Sequence, residues 1–372
     1  MPDAVRPDAS SAAPSADPSA DPSTDPSSDG SMMRAVVYDA PRELEVRSVP
    51  RPVAGPGEVV VDVDLAGLCG TDLHLHEGGF FAGFPLTPGH EATGTVRSVG
   101  DGVTHVRPGQ RVAVDNASSC GRCRECSRGN HLFCEHFHSL GVNAPGGFAE
   151  SLLSPAHKVY PADDLDPELA VLAEPLACAV HGMDVLGLRP GADVLVVGAG
   201  TTGLLLSQLL LHGGAGRVTV AAPTPFKLEL ADAYGVDRVV RVTRDADETS
   251  RTLARLQPDG FDVTVDVTGA ASVVGMLPSL TAANGTVFVY GMCDEDARVP
   301  LRPYDVFRRQ LTVKGSFAQV DCLDRALALL RSGRVRTEGL VTHRFPLAGY
   351  PEALETLRSD PTSLKVLLEP QR

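Results

Sequence analysis

The sequence predicts an α/β chain with two architectures: a β-rich, barrel-like domain, then a doubly wound parallel sheet. Three observations predict it. Residues 33–185 are short β-branched runs broken by glycine and proline. From residue 186 apolar strands alternate with apolar helices, the rhythm of a parallel sheet covered on both faces. A glycine cluster, Gly198-Ala199-Gly200-Thr201-Thr202-Gly203, stands where the first of those strands turns into a helix. With 372 residues the chain is long enough for two cores.

Taken in order, residues 1–32 repeat "ADPS", "ADPS", "TDPS" without an aromatic residue. Such a segment buries too little apolar surface to offset its ordering entropy, so a disordered tail is expected. Met32 or Met33 is an alternative start, which would leave the tail untranslated. The tail's six aspartates against Arg6 contribute −5 of the formal charge of −14. That acidic balance argues against nucleic acid and anionic membrane surfaces as partners. No apolar run near the ~18 residues of a membrane span and no signal-peptide pattern is evident, so a cytoplasmic location is the expectation.

"RAVVY", "LEVRSVP", "GEVVVDVDLAGL", "HEATGTVRSVGDGV" and "GQRVAV" supply the strands of the first domain. After residue 186, "ADVLVV", "RVTVAA", "FDVTVDVTG" and "GTVFVYG" read as strands, and Leu204–Leu211 and "PFKLELADAYGV" as helices. Residues 318–372 hold the helix "CLDRALALLRSG" and a final strand, "LKVLLEP", expected to return to the first domain.

The glycine cluster has the spacing of a dinucleotide turn. Gly198 permits the tight turn, Gly200 lets backbone approach a pyrophosphate, and Gly203 lets helix pack on strand. Thr201 and Thr202 open the helix, whose free N–H groups face the phosphates. An acid at the end of the second strand would select NAD by bonding the ribose 2′-hydroxyl. Ala222 stands there instead, and no carboxylate occurs between Val218 and Lys227. Thr224 and Lys227 suit a 2′-phosphate, so NADP is favoured over NAD, although no arginine completes the site and Lys227 also suits the adenosine of either cofactor.

Two metal constellations follow. Cys120, Cys123, Cys126 and Cys134 form C-x2-C-x2-C-x7-C, a closed set of four thiolates expected to hold a structural zinc. Chemistry needs an open position, and upstream "GLCGTDLHLHEGG" places Cys69, Thr71, Asp72, His74 and His76 together. "PGHEATG" adds His90 and Glu91, and "LAEPLACAVHG" adds Glu174 with Cys178 one turn later. A thiolate, an imidazole and a carboxylate hold zinc while leaving room for a substrate oxygen.

At these residues the sequence resembles the zinc-dependent medium-chain alcohol dehydrogenases, nearest the polyol (sorbitol, xylitol, arabinitol) branch. Gly89-His90-Glu91-x2-Gly94-x5-Gly100-x2-Val103 matches the family's zinc signature, and the resemblance runs from about residue 33 to 370. It implies a GroES-like catalytic domain (33–185), a Rossmann domain (186–317) inserted in it, and a closing segment (318–372). It implies two zinc ions per chain, one catalytic and one structural. Cys69 and His90 are implied as catalytic zinc ligands, Glu91 as a ligand or exchangeable neighbour, and Glu174 as a contact made directly or through water. Asp72 would fix the His90 ring. Cys178, Cys293 and Cys322 are expected to be packing residues, and His76 a satisfied histidine.

The implied reaction interconverts a secondary alcohol (a polyol, sugar or cyclitol) and its ketone with NAD(P). Thr71 and His74 match a proton relay, Thr71 otherwise capping a turn. A glutamate near the metal makes the pocket polar, as a polyhydroxy substrate requires. Alternatives at this stage are a reductase running the other way with NADPH, a threonine or butanediol dehydrogenase, and a silent relative that only binds the dinucleotide. A homodimer or homotetramer is expected by analogy.

Overall fold

The computed structural model describes residues 28–372. Most of the expected tail lies outside the described residues, but its end does not. The strand Ser28–Ala40 pairs antiparallel with Glu43–Pro52, with Met32 opposite Pro50 and Met33 opposite Val49. The last residues of the low-complexity segment therefore take part in a strand, because hydrogen bonding to the next strand does not require apolar side chains.

The first domain is built on a seven-stranded sheet. Its main path runs Val341–Pro346, Lys365–Glu369, Glu58–Leu68, Glu91–Val99, Arg111–Val114, Val159–Pro161, and Ser151–Pro155 also pairs with Glu58–Leu68. The C-terminal strand is thus a neighbour of the strand that leads to Cys69: Val366 lies opposite Leu68. Alternate residues Val59, Val61 and Val63 of Glu58–Leu68 enter one core, with Phe148, Tyr38 and Tyr350.

The second sheet has six parallel strands in the order Arg238–Arg241, Arg217–Ala222, Asp193–Val197, Phe261–Asp266, Thr281–Val289, Thr312–Gly315. Chain order reverses direction between Asp193–Val197 and Phe261–Asp266, and ligands bind at the carboxyl ends beside such a switch point. The buried helices Ala173–Leu186, Thr201–His212 and Leu323–Arg331 cover one face.

Helices Ala246–Leu256, Ala271–Leu280 and Pro303–Arg309 and the strand Arg238–Arg241 carry no strong sequence signal. Arg238–Arg241 is flanked by charge, and Ala271–Leu280 contains Pro278. Ala246–Leu256 is held at its start by a cap: Asp245 Oδ1 accepts the N–H of Glu248 (2.8 Å). One helical stretch, Pro167–Leu186, is long and apolar enough to cross a membrane, contrary to the expectation of no such run. Two thirds of its window is buried inside the protein, so packing against the second sheet accounts for its composition.

Candidate active site and metal centres

A cavity of about 990 Å³ opens between the two halves. Cys69, Thr71, His74, His90, Glu91, Glu174 and Cys178 line it from one side, and Thr202, Thr268, Tyr290 and Ser316 from the other.

Cys69 follows the strand Glu58–Leu68 and caps the helix Gly70–His76. Its N–H donates to Asp72 Oδ2 (2.8 Å), and Thr71 Oγ1 lies 3.7 Å from its Sγ. The helix carries His74 to the cavity, while the Nδ1 of His76 lies 2.9 Å from Tyr38 Oη. His76 is therefore a satisfied histidine. Gly89 delivers His90 through a turn at φ +98°, where a Cβ would stand 2.6 Å from the Phe148 nitrogen.

The ligand atoms of Cys69, His90 and Glu91 lie within 4.8 Å of one another. Burial opposes a charged His90 ring, but hydrogen bonding to Cys69 and the carboxylates of Asp72 and Glu174 outweigh it and raise its pKa to about 10. His90 Nδ1 and Asp72 Oδ1, 3.8 Å apart, are both buried and have no hydrogen-bond partner. Burial raises Asp72 to about 6. A thiol, an imidazole and buried carboxyls that draw positive charge onto the ring make a donor set that fits a divalent cation.

The two glutamates differ. Lys365 Nζ donates to both oxygens of Glu91 (2.7 and 2.5 Å) and to the Leu68 carbonyl (3.1 Å), all of it buried. Glu91 is therefore occupied by a buried lysine of its own. Glu174, in the first turn of Ala173–Leu186, stands outside the 4.8 Å cluster. Burial raises its pKa to about 7, with Glu91 adding and His90 opposing. Cys178, expected in the core, lines the cavity instead, and its thiol donates to Glu174 Oε1 (3.4 Å). One turn of helix carries both groups to the same wall, which apolar periodicity alone did not reveal.

The sulfurs of Cys120, Cys123, Cys126 and Cys134 also lie within 4.8 Å of one another, with no disulfide among the described cysteines. Cys134 Sγ accepts the N–H groups of Cys120 and His136 (both 3.3 Å). The backbone N–H groups of Cys126 and Glu135 pull Cys123 down to about 6. Converging amides of this kind favour thiolates, the form that binds metal.

On the other wall, Gly198 has φ +117°, and a Cβ at Gly203 would stand 2.5 Å from the Gly198 carbonyl. In front of Gly200 nothing lies within 4 Å of a built Cβ, so the approach to the helix N-terminus is open. Thr201 Oγ1 is buried without a partner, and Thr202 reaches the cavity. Ala222 ends its strand buried, and Thr224 caps Pro225–Ala233 without a side-chain hydrogen bond. Burial lowers the Lys227 pKa, with Arg244 acting in the same direction and Asp360 opposing. Arg244, three residues past the neighbouring strand Arg238–Arg241, therefore lies near Lys227. Cys322 is a packing residue, buried, with its thiol donating to the Val320 carbonyl (3.1 Å).

Sequence reasoning passed over Asp266 and Thr268. Asp266, fully buried, accepts from the Thr268 N–H and hydroxyl and from Gly269 N–H, fixing the turn beside Gly198. Its position at the carboxyl end of a central strand was the available signal. Lys365 was passed over too, although a lysine inside "LKVLLEP" demands a buried partner.

Two family models match the chain: the alcohol dehydrogenase GroES-like domain over residues 55–164 and the zinc-binding dehydrogenase domain over 201–332. D-arabinitol dehydrogenase 1 of Uromyces fabae is 42% identical over 91% of this chain and 98% of its own length. D-altritol 5-dehydrogenase of Agrobacterium fabrum is 36% identical over 87% of this chain and 94% of its own. A zinc-binding dehydrogenase target from Sinorhizobium meliloti 1021, solved bound to NADP, superposes with TM-score 0.85 at 33% identity, covering 91% of this chain and 100% of that one. The chain belongs to the zinc-binding medium-chain alcohol dehydrogenase family and is an oxidoreductase.

Proposed function

We propose that the protein oxidises a polyol, or a sugar or cyclitol carrying the same vicinal hydroxyls, to its ketone, and reverses the reaction. The observation that carries this reading is one cavity lined by Cys69, His90 and Glu174 on one wall and by Thr202 of the glycine turn on the other. The 42% identity to a D-arabinitol dehydrogenase points to the substrate class.

Cys69 and His90 would hold a catalytic zinc, with Glu174, the carboxyl without a lysine counter-ion, as the third donor directly or through water. The four cysteines 120, 123, 126 and 134 would hold a structural one. When bound, zinc supplies Lewis acidity toward the alcohol oxygen and the nicotinamide supplies a hydride acceptor. The protein's part is to orient and to move a proton. Thr71 accepts and donates at once beside the substrate oxygen, and His74 carries the proton onward. Asp72 orients His90, and Glu174 hydrogen-bonds a neighbouring substrate hydroxyl. Offering D-arabinitol, altritol, sorbitol, cyclitols, threonine and simple alcohols with each cofactor tests the reading. Ketose formation from a polyol is expected; turnover of threonine alone would overturn the substrate class.

NADP is the favoured cofactor, because Ala222 leaves no anion at the 2′-phosphate and Thr224, Lys227 and Arg244 surround it with donors. Ala222→Asp is expected to lower kcat/KM for NADP by ~100-fold, the order of a like-charge repulsion of a few kcal/mol at an effective dielectric near ~20, and to spare NAD. Equal losses with both cofactors would contradict this.

A homodimer is the proposed assembly. The second sheet ends on the edge strand Thr312–Gly315, whose outer side has no strand partner among the described residues; Val313 is exposed there, and the segment leading into it exposes Leu301, Tyr304 and Phe307. An open edge beside apolar side chains suits pairing with a second copy about a two-fold axis. Sedimentation as a monomer at micromolar concentration would refute it.

A further inference from the structure

The chain leaves the second sheet at Gly315 and reaches the helix Leu323–Arg331 through residues 316–322. Ser316, Phe317, Ala318 and Val320 of this connection form a wall of the cavity. Phe317 meets Phe80 and Phe137 of the first domain, with ring centroids 6.2 and 6.3 Å away. Ala318 and Asp321 hold φ of +47° and +50°, a backbone region that side-chain-bearing residues avoid.

Between those two residues stands Gln319, whose side chain points away from the cavity and is 1% exposed. Its Nε2 donates to Asp115 Oδ1 (2.5 Å), and its Oε1 accepts the Cys322 N–H (3.4 Å). Asp115, also 1% exposed, accepts the Ala117 N–H on Oδ1 (3.1 Å) and Lys158 Nζ on Oδ2 (2.9 Å). Lys158 is buried too, and reaches Asp321 Oδ1 only at 3.5 Å, on the solvent side. Asp115 and Lys158 belong to the first domain, and their backbones are tied by Asp115 N–H to the Lys158 carbonyl (2.8 Å). Asn116, next to Asp115, lines the cavity itself.

We propose that Gln319 is a positioning residue: bonded to the buried Asp115–Lys158 pair, it fixes the strained wall 316–320 and thereby the spacing between the dinucleotide wall and the metal-ligand wall. Strained backbone persists only where surrounding contacts over-determine it, and a buried amide between two domains is such a contact. The aromatic contacts of Phe317 alone are non-directional and do not set a register. Because the wall belongs to the cavity described above, this role rests on the functional reading of that cavity.

Gln319→Leu removes the bond at nearly constant volume. It should raise KM for alcohol and for dinucleotide by ~10-fold or more and leave kcat less affected, since misplacement of about 1 Å costs up to ~10²-fold. Asp115→Ala/Gln319→Leu completes a double-mutant cycle in which the loss of the Lys158 partner is common to both variants that lack Asp115. The double variant should be no worse than Asp115→Ala alone, the signature of a direct pairwise coupling. Asp321→Asn touches only the exposed side of Lys158 and serves as the control, expected to stay within ~2-fold. Unchanged KM values in Gln319→Leu, losses that simply multiply in the double variant, or an equal loss in Asp321→Asn would each overturn the proposal. If Gln319→Leu does not accumulate, Gln319→Met, which keeps the length without the amide, takes its place in the cycle. If wild type oxidises none of the alcohols, the functional reading has failed, and the clamp is then read from NADPH fluorescence: Kd should still rise ~10-fold in Gln319→Leu on the same geometric ground, and an unchanged Kd would overturn it.

Discussion

Cys69→Ala is expected to abolish alcohol oxidation, by at least ~10³-fold, because Lewis-acid polarisation contributes several kcal/mol and each ~1.4 kcal/mol is tenfold in rate. Its zinc content should fall from two per chain to one. The surviving ion would belong to the four-cysteine loop, whose clustered sulfurs stand on a separate segment, residues 120–134. Cys123→Ser should do the converse, releasing that ion and lowering thermal stability while the remaining zinc still supports turnover. Metal analysis beside a rate assay reads both. Loss of both ions in Cys69→Ala, or selective loss of the catalytic one in Cys123→Ser, would mean the two sites are wrongly apportioned. The pH dependence has a definite sign. Without metal, His90 holds its proton up to about 10. A ligand imidazole must lose that proton, so zinc affinity should rise with pH across the neutral range and fall in acid.

Lys365→Met should cost about 3–5 kcal/mol of unfolding free energy, the penalty of leaving a buried charge without its partner. Lys365 and Glu91 have side-chain exposures of 4% and 0%, so solvent cannot replace the lost ammonium. Glu91→Gln/Lys365→Met, which removes both charges, should regain most of that loss in urea denaturation. The rate should fall as well in the single variant, because an unpaired Glu91 carboxylate would then compete for the cation that Cys69 and His90 are proposed to hold. A single variant as stable as wild type would show that the Lys365–Glu91 pair is not needed for the fold, and would remove the reason for assigning Glu174 rather than Glu91 as the third donor.

Much of this was legible because local chemistry fixes it. The glycine turn at 198–203 follows from a strand, a tight turn and a helix in sequence, and the strand and helix stand at Asp193–Val197 and Thr201–His212. Cys69, His90 and Glu174 were singled out as residue types in separate segments, and the cavity joins them. What escaped were partnerships across long sequence separations. Lys365 meets Glu91 across 274 positions, and Gln319 meets Asp115 across 204. Arg244 nears Lys227 only because parallel strands place their carboxyl ends side by side. Cys178 was misread for another reason: an apolar helix predicts burial, but not that one of its faces borders a cavity. The end of the tail was misread because composition reports what side chains bury and says nothing of backbone pairing.

On the proposed reading, a zinc ion held by Cys69 and His90 drives polyol oxidation. Titrating zinc into chelator-stripped protein, with D-arabinitol and NADP present, tests it most directly through nicotinamide absorbance. The account predicts no turnover in stripped protein and a rate that grows with zinc until the site containing Cys69 is filled. Full turnover without zinc, or zinc uptake that leaves the rate unchanged, would contradict it.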